Sequence, residues 1–487
     1  MGYERINFEA DSGRAVDDEK LQRALVNVTD RFRSARNKAS SEVPGWDELR
    51  TLGREIKKET IENLDRYLLM LEENVKKAGG QVHWAGNREE ACAIVIEIAR
   101  KNGVKSVVKS KSMATEEVEL NTALERAGIM AVETDLGEYI IQLAGEHPSH
   151  IIAPAVHKTK DDISRLFSEK LGVPYLSEPE ELTKVARERM RSEFLNAGMG
   201  VSGANFAVAE TGTIVIVENE GNARLTTTVP RIHVALVGIE KVIPRYNDLS
   251  LFLTLLARSA TGQKSSTYVS FITGPRRNTD RDGPEEFHLV LLDNGRSGIL
   301  ANEQTRESLY CIRCGACLNN CPVYRKVGGH SYGWVYSGPI GAILNPQLLG
   351  IDKAPELPFA SSLCGACRDV CPVKIDFPRV LLELRHEVRE SKAEKGKGME
   401  PFIERMAFRL WRTIVTHEKL YGAISGLMYH LQSPFRGKGG SLGSLPYPFS
   451  RWTRDRDFPA IARTPFRERW KKLRSETGQG GPGKPDR

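Results

Sequence analysis

The 487-residue sequence has no long apolar run, and aromatic residues make up only 7% of it. No stretch approaches the ~18–20 consecutive apolar residues that a membrane-spanning helix needs. The first twenty residues, MGYERINFEADSGRAVDDEK, lack the apolar stretch of a secretory signal, and Ile6 stands where a myristoylation motif has Ser or Thr. With 40% hydrophobic and 27% charged residues, we expect a cytoplasmic globular protein without a transmembrane segment.

The sequence also lacks the common signatures of nucleotide binding. No G-x-G-x-x-G follows a predicted strand, and no P-loop is present. The chain therefore has no specific site of its own for a two-electron donor such as a dinucleotide.

Net positive charge is absent from most of the chain and concentrated near its end. The 70 Lys and Arg residues exceed the 63 Asp and Glu residues by seven, but residues 401–487 alone carry 17 basic and 7 acidic residues. The nearly neutral remainder argues against nucleic acid as a partner. Within the basic region, Trp452, Trp470 and LYGAISGLMYHL suggest docking to a protein, with peripheral membrane contact left open and a core helix as the ordinary alternative. The last residues, GQGGPGKPDR, have the composition of a disordered tail.

Cysteine is nearly absent outside one segment. Cys92 lies among apolar residues at a helical period and is expected in the core, whereas the other seven cysteines fall between Cys311 and Cys371. Dense cysteine at fixed spacing in a reducing compartment indicates metal or redox chemistry. Residues 311–322, CIRCGACLNNCP, have the spacing C-x₂-C-x₂-C-x₃-C-P of two-cluster ferredoxins, in which the fourth cysteine ligates the other cluster.

A second, shorter motif, CGACRDVCP, occupies residues 364–372. The same crossing of ligands then predicts two iron–sulfur clusters. The first set of ligands is Cys311, Cys314, Cys317 and Cys371, and the second set is Cys321, Cys364 and Cys367. Zinc is the competing interpretation. One zinc ion binds four ligands, so a zinc site does not account for seven cysteines or for the proline that follows both Cys321 and Cys371.

The second set is one cysteine short, because Ser361 stands three residues before Cys364. Three alternatives remain open: a [4Fe–4S] cluster with an open or non-thiolate fourth site, a [3Fe–4S] cluster, or a ligand from a partner. We favour two [4Fe–4S] clusters, the second with only three cysteine ligands. His330 and His386 lie near the motifs, but their spacing differs from Rieske-type ligation, so ordinary hydrogen bonding is predicted for them.

Upstream of the cysteines, the pattern predicts helices and then alternating α and β elements. Residues 1 to about 75 have a helical period, and the apolar runs QVHWA, SVVKS, IMAVET and HIIAP predict short strands between helices. Such alternation is typical of parallel βαβ units. A long polar helix, EPEELTKVARERMRSEFLNAG, then separates this half from a β-rich half.

Several loops of this region are candidates for a small-molecule site. ETGT at 210–213 lies between apolar runs, and TGPRR at 273–277 ends a predicted strand; backbone amides and arginines suit an anion. A tight hairpin at Glu210 and a solvated arginine pair are the ordinary alternatives. Lys109 and Lys111 follow the SVV run, and two interpretations are open for them. They line a crevice at the end of the strand, or they are solvated, which is commoner for lysines at a strand end.

The sequence as a whole resembles the lactate utilization protein B family, whose members are the iron–sulfur component of a bacterial L-lactate oxidation system. The resemblance rests on both cysteine motifs, the linker HSYGWVYSGPIGAILNPQL, AETGTIVIVENEGNARLTTTVPRIHVALVGIEKVIP and FITGPRRNTDRDGPEEFHLVLLDNGRS. It implies an α/β LUD domain (ribose-phosphate-isomerase/CoA-transferase-like) plus an α-helical two-cluster ferredoxin-type domain. We accordingly predict a helical N-terminal arm at 1–75, the LUD domain at 76–300, the ferredoxin-type domain at 301–390 and a basic C-terminal region at 391–487.

The resemblance also implies a function. It implies electron transfer in the oxidation of L-lactate to pyruvate, together with two partner proteins and without catalysis by this chain alone. The main alternative is that the LUD domain is itself an enzyme acting on an acyl, CoA-linked or phosphorylated substrate, with the clusters in a regulatory role. A redox-sensing protein that binds nucleic acid through its basic end is a third hypothesis, which the nearly neutral main body disfavours.

Overall fold

The computed structural model describes residues 5–394, 400–437, 440–447, 449–453 and 458–477. The chain divides into two compact units, Met1–Ser391 and Lys392–Arg487. The predicted disordered tail and the side chain of Trp452 lie outside the described residues. Within the described ranges, no helix combines the length and the apolar character that crossing a membrane requires.

The first unit begins with helices, as the sequence predicts. They are α1 (Phe8–Asp17), α2 (Glu19–Ser41), α3 (Trp46–Glu62) and α4 (Leu64–Lys77). The side chains of Asn7 and Asp18 cap α1 and α2 by accepting backbone N–H groups of the first turn. Leu25 and Leu71 are fully buried in the same hydrophobic core as the sheet and the cysteine loops. These helices are therefore packed parts of the unit.

The α/β part of the first unit contains a parallel sheet of six strands in the described chain, in the order β1-β10-β7-β4-β2-β3. A smaller mixed sheet has the order β8-β5-β6-β9. The strand β7 is buried throughout, as is typical of a central strand of a parallel sheet with both faces covered. The strands are β1 (Gln81–Ala85), β2 (Ser106–Lys109), β3 (Met130–Glu133), β4 (Met199–Ser202), β5 (Phe206–Val208), β6 (Thr213–Glu218), β7 (Ile232–Gly238), β8 (Val242–Ile243), β9 (Tyr268–Ile272) and β10 (Glu286–Leu292).

Helices connect these strands, as the alternating pattern predicts. They are α5 (Arg88–Lys101), α6 (Met113–Glu117), α7 (Leu120–Arg126), α8 (Leu136–Ala144), α9 (Lys160–Leu171), α10 (Pro179–Asn196), α11 (Asn222–Thr228), α12 (Leu249–Ala260) and α13 (Arg296–Ala301). The segment TEEVELNTALERAG has a helical period that predicts a single helix, but the helix is interrupted between α6 and α7, where Glu119 adopts a left-handed conformation with φ 54°.

The prediction of a strand at HIIAP is wrong. Residues 150–154 form bends and turns, although His150 and Ile151 are buried. The imidazole Nδ1 of His150 accepts the backbone N–H groups of Ile152 and Ala153, at 2.9 and 3.2 Å. The side chain thus satisfies the donors that a neighbouring strand would otherwise have to satisfy.

The cysteine module completes the first unit with short helices. They are α14 (Ala316–Asn320), α15 (Tyr324–Val327), α16 (Gly338–Leu349), α17 (Ala366–Val370) and α18 (Phe377–Glu394). The structure groups the arm, the α/β part and this module in one compact unit, so the predicted boundaries at 75 and 300 remain a division by sequence pattern.

The second unit consists of helices with a short two-stranded ladder. Its elements are α19 (Glu400–Thr416), α20 (Glu418–Leu431), β11 (Ser441–Leu442), α21 (Ser450–Thr453), β12 (Phe458–Pro459) and α22 (Phe466–Thr477). Large apolar side chains of α19 are exposed, including Phe402, Leu410 and Trp411 at 58%, 63% and 60%. No described residue of α20, which contains the LYGAISGLMYHL segment, is buried, so the core-helix alternative does not hold.

Candidate metal centre

The first cysteine loop has the strained backbone that a short ligand spacing demands. Arg313 and Gly315, on either side of Cys314, adopt left-handed conformations with φ 59° and 74°. Such a conformation costs a residue with a side chain about 1 kcal/mol or more, so the surroundings must hold Arg313 in place. The backbone N–H of Arg313 donates to Sγ of Cys311 at 3.4 Å. The loop then enters α14, which carries Cys317.

The second loop has the same backbone form. Leu363 and Gly365 flank Cys364 with φ 55° and 83°, and α17 follows directly and carries Cys367. The backbone N–H of Leu363 donates to Oγ of Ser361 at 3.1 Å. Ser361 thus accepts in this loop the hydrogen bond that Cys311 accepts in the first.

The structure brings the predicted ligands of the first cluster together. Cys311, Cys314, Cys317 and Cys371 line one small cavity, although Cys371 is more than fifty residues from the others in sequence. Cys314, Cys317 and Cys371 are buried. The ligand assignment itself stays a prediction, but the four thiols share one space.

The predicted ligands of the second cluster lie beside the first group. Cys364 is among the ionisable neighbours of Cys321, and both Cys321 and Cys364 are among those of Cys367. Cys364 is exposed, whereas Cys321 and Cys367 are buried. The second group therefore lies nearer to solvent than the first.

The buried cysteines need a bound metal to become thiolates. Burial raises the pKa of Cys371 to about 11 and that of Cys367 to about 12. Buried thiols alone would thus remain protonated, whereas iron takes them as thiolates. The buried hydroxyl of Tyr332, whose ionisable neighbours include Cys317, Cys321 and Cys367, has no hydrogen-bond partner among the described residues and suits a cluster sulfur.

Positive charge surrounds the first group. Arg36 neighbours Cys314 and Cys371, and the lysines Lys57 and Lys241 neighbour Cys311. Burial lowers the pKa of Lys57 to about 7 and that of Lys241 to about 8. Buried cations compensate the negative charge that four thiolates and a cluster would bring into the interior.

The N-terminal helices hold the second cysteine loop through its backbone carbonyls. Nη2 of Arg36 on α2 donates to the carbonyl of Val370 at 3.0 Å. Nε of Arg50 on α3 donates to the carbonyl of Cys371 at 2.9 Å, and its Nη2 donates to that of Arg368 at 3.3 Å. The N-terminal segment therefore positions a predicted ligand.

A buried charge network joins the α/β part to the first cysteine loop. The guanidinium of Arg296 binds both carboxylate oxygens of Glu117, at 2.7 and 2.9 Å, and Oε2 of Glu240 at 2.5 Å. Glu240 in turn accepts from Nη2 of Arg313 at 3.0 Å, and Tyr336 donates its hydroxyl to Glu117 at 2.7 Å. All five side chains are buried. They make one continuous path from α6 to the Cys311 loop.

A second cavity of about 270 Å³ lies at the carboxyl ends of β2, β4 and β7. This is the edge at which open parallel sheets bind ligands. It shares Ile151 and Arg313 with the wall of the cysteine cavity. Lys241 lines it and makes no hydrogen bond or ion pair with any described residue.

The acidic side chains at this cavity already have partners. Glu218 accepts the backbone N–H groups of Ala223 and Arg224, both at 2.8 Å. Glu220 accepts that of Leu136 at 3.1 Å. Hydrogen bonds thus engage these two carboxylates, whereas the ammonium of Lys241 has no hydrogen-bond or ion-pair partner among the described residues.

The loops predicted to form a small-molecule site lie elsewhere. ETGT forms the turn between β5 and β6, as the hairpin alternative predicts, and Glu210 accepts the backbone N–H of Tyr246 at 2.8 Å. Arg276 pairs with Glu285 at 2.8 Å. Neither Glu210 nor Arg276 lines the cavity.

The two lysines after SVV differ from each other. The idea that both are solvated is wrong for Lys109, which is fully buried and pairs with Glu116 at 2.9 Å and Glu133 at 2.7 Å. Lys111 does line the cavity, and its Nζ donates to the carbonyl of Ile152 at 2.9 Å.

The remaining single residues have the ordinary roles predicted for them. Cys92 is buried and its thiol donates to the carbonyl of Val118 at 3.3 Å. Nε2 of His330 donates to the carbonyl of His147 at 2.7 Å, and His386 pairs with Glu390 at 3.2 Å.

Sequence reasoning missed Lys241, Arg296 and Tyr336. A charged residue directly after an apolar strand, as in VALVGIEK, was the available signal for Lys241. Nothing local marks Arg296, because its partners lie 56 and 179 residues away in the sequence.

The fold and the site together define an iron–sulfur protein in which a LUD domain is fused to a dicluster module. Family models agree: the LUD domain matches residues 68–292, the 4Fe-4S dicluster domain matches residues 307–375, and the C-terminal region of lactate utilisation protein B matches residues 383–475. These matches confirm the predicted combination of an α/β LUD domain and a two-cluster domain.

Full-length relatives give the particular family. The chain is 44% identical to lactate utilization protein B of Bacillus licheniformis, over 98% of this chain and 99% of that protein. It is 46% identical to lactate utilization protein B of Bacillus thuringiensis, over 97% of this chain and 98% of that protein. The chain belongs to the lactate utilization protein B family.

Proposed function

We propose that this protein transfers electrons in the oxidation of L-lactate to pyruvate, as one subunit of a cytoplasmic assembly with two partner proteins. The observation that carries the proposal is the placement of seven cysteines in two adjacent groups. Family membership supplies the substrate.

The chain's own residues would hold two [4Fe–4S] clusters and control their surroundings. Cys311, Cys314, Cys317 and Cys371 would hold the first, and Cys321, Cys364 and Cys367 would be the cysteine ligands of the second. Such clusters supply one-electron transfer at a potential set by charge, hydrogen bonds and solvent. The exposed Cys364 supports exchange of electrons with a partner near the second group, while the buried cations stabilise the first.

Electron balance supports the need for partners. Oxidation of lactate to pyruvate releases two electrons and two protons, and a two-electron cofactor is required to divide them into single electrons. The sequence contains no motif for such a cofactor. We therefore place the removal of hydride on a partner.

The direct test is lactate-dependent dye reduction by the anaerobically purified protein combined with its two partners. We expect reduction only with all three proteins, and at least a tenfold loss for Cys314→Ser. Cys92→Ser, which replaces a cysteine outside both groups, is the matched control and should retain the rate. A Cys314→Ser protein that reduces the dye at the normal rate would refute the proposal.

A second candidate function is binding of a small organic anion by the LUD domain. This candidate rests on the cavity of about 270 Å³, which is small for a ligand site. The ammonium of Lys241, which has no ion-pair partner among the described residues, lines this cavity. The cavity is large enough for a small carboxylate but too small to enclose CoA.

Calorimetric titration of the full chain with L-lactate, pyruvate and inorganic phosphate tests this candidate. We expect a carboxylate to bind and Lys241→Met to weaken it at least tenfold. Lys264→Met, at an exposed lysine, is the control. Equal affinities of the wild type and Lys241→Met would exclude the site.

A further inference from the structure

We propose that the hydroxyl oxygen of Ser361 is the fourth protein ligand of the second cluster. The inference rests on the proposed pair of iron–sulfur clusters and assigns the position that three cysteines leave open. Coordination would form one Fe–O bond, and the hydroxyl proton would leave to solvent.

The first argument is the equivalence of the two loops. The loops that begin at residues 311 and 361 have the same order of features. Each begins with an acceptor side chain, and a residue in the left-handed conformation follows two positions later. A predicted ligand cysteine, a left-handed glycine and a short helix come next. The left-handed residues are Arg313 and Leu363. Cys311 and Ser361 thus occupy the same place in the same backbone form.

The second argument is the hydrogen bond that each acceptor receives. Sγ of Cys311 accepts the N–H of Arg313 at 3.4 Å, and Oγ of Ser361 accepts the N–H of Leu363 at 3.1 Å. Hydrogen bonds from backbone N–H groups favour the negatively charged form of the acceptor. The same bond that would stabilise a thiolate in the first loop would stabilise an alkoxide in the second.

The third argument is that the backbone fixes Ser361 in position. Its N–H donates to the carbonyl of Phe359 at 2.7 Å, and its own carbonyl accepts Nη2 of Arg385 at 3.0 Å. Arg385 also donates through Nε to the carbonyl of Pro358 at 2.9 Å. Ser362, by contrast, is exposed and makes no such contact among the described residues. The chain therefore anchors one of two adjacent serines.

The experiment compares four full-length proteins purified anaerobically: the wild type, Ser361→Ala, Ser361→Cys and Ser362→Ala. Iron and sulfide are quantified, and EPR and Mössbauer spectra are recorded before and after dithionite. We expect the wild type and Ser362→Ala to contain two four-iron clusters. Ser361→Ala should lose about one iron per chain and show a [3Fe–4S] signal when oxidised, and Ser361→Cys should restore the four-iron spectrum.

Ser361→Ala with unchanged iron content and Mössbauer parameters would overturn the assignment. So would a wild-type second cluster that is already three-iron, or one whose signal broadens in water enriched in oxygen-17, which reveals solvent on the iron. A wild type that lacks any second cluster would instead contradict the proposed function, so the two failures are distinguishable.

Discussion

Arg296 shows how a single buried charge connects the parts of the first unit. Its side chain is 1% exposed and lies between Glu117 and Glu240, which are also buried. A buried ion pair adds little net stability when it is complete, but removing one partner leaves uncompensated charge. The effect of this interaction on stability is therefore observed mainly when one partner is removed.

We expect Arg296→Met to lower the free energy of unfolding by about 3–5 kcal/mol, because it leaves Glu117 without the guanidinium it pairs with and Glu240 with Arg313 alone. Thermal unfolding of the holoprotein measures the effect. Replacing Glu117 as well, in Arg296→Met/Glu117→Gln, should recover part of the loss, because Glu240 keeps Arg313 as its partner. Arg126→Met on the exposed surface of α7 is the control and should change stability by less than about 0.5 kcal/mol. A melting temperature of Arg296→Met equal to that of the control would contradict the prediction.

Glu138 makes stability depend on pH. Burial, and then the neighbouring carboxylates Glu133 and Glu116, raise its pKa above the ordinary value of 4.5. In the folded protein Glu138 therefore keeps a proton that the unfolded chain has released, so its contribution to stability falls as pH rises above about 4.5.

We expect Glu138→Gln to flatten the fall in stability between about pH 5 and pH 8. The gain at the upper end is about 1.4 kcal/mol for each unit by which the pKa is raised. Unfolding in urea at several pH values provides the measurement, with the exposed Glu125→Gln as control. Parallel stability curves for Glu138→Gln and the wild type would show that Glu138 is ionised in the fold.

At the scale of elements, α3 acts as a support for the second cysteine loop. Arg50 reaches the carbonyl of Cys371 and is itself oriented by Asp47 at 2.9 Å. Lys374, after the loop, donates to Asp47 at 2.7 Å. An N-terminal helix thus determines the position of a residue more than 300 positions away.

We expect Arg50→Met to release iron to a chelator about ten times faster than the wild type, since a hydrogen bond from a charged donor is worth about 1.5–3 kcal/mol. Bleaching of the visible cluster absorbance follows the release. Lys58→Met alters an exposed lysine of the same helix and should bleach at the wild-type rate. Equal rates for both variants would mean that α3 does not hold the loop.

The elements also show what sequence could and could not predict. Local periodicity predicted the strands β1, β2 and β3 and the helix α10, and the cysteine spacing predicted two groups of ligands. HIIAP was misassigned because the ring of His150 replaces a strand as hydrogen-bond partner. The burial of Lys109 and the Lys241 cavity depend on contacts between distant segments, which a single sequence does not reveal.

At the scale of the whole molecule, the two units differ in surface. The first unit contains the LUD domain, the cysteine groups and a common core. The second carries exposed apolar side chains on α19 and α20, such as Trp411 and Leu427, within a basic sequence. We interpret the second unit as the docking part for partner proteins.

A chain truncated after Glu394 is therefore expected to fold and to keep its cluster absorbance. Its melting temperature should lie within about 3 °C of that of the full chain, because the core of the first unit is unchanged. Co-purification with the partner proteins should be lost. A truncated chain that precipitates without iron, or that still binds both partners, would contradict this division.

The close packing of the first cysteine loop has a consequence for how the protein is made. A Cβ added at Gly315 would lie 3.1 Å from Ile152, so the loop lies directly against the α/β part, with Cys314 and Cys317 enclosed behind it. This contact narrows the route by which a cluster could reach the buried cysteines. We therefore expect cluster insertion to precede the last step of folding, and iron-starved cells should accumulate a chain in which this loop has not yet packed.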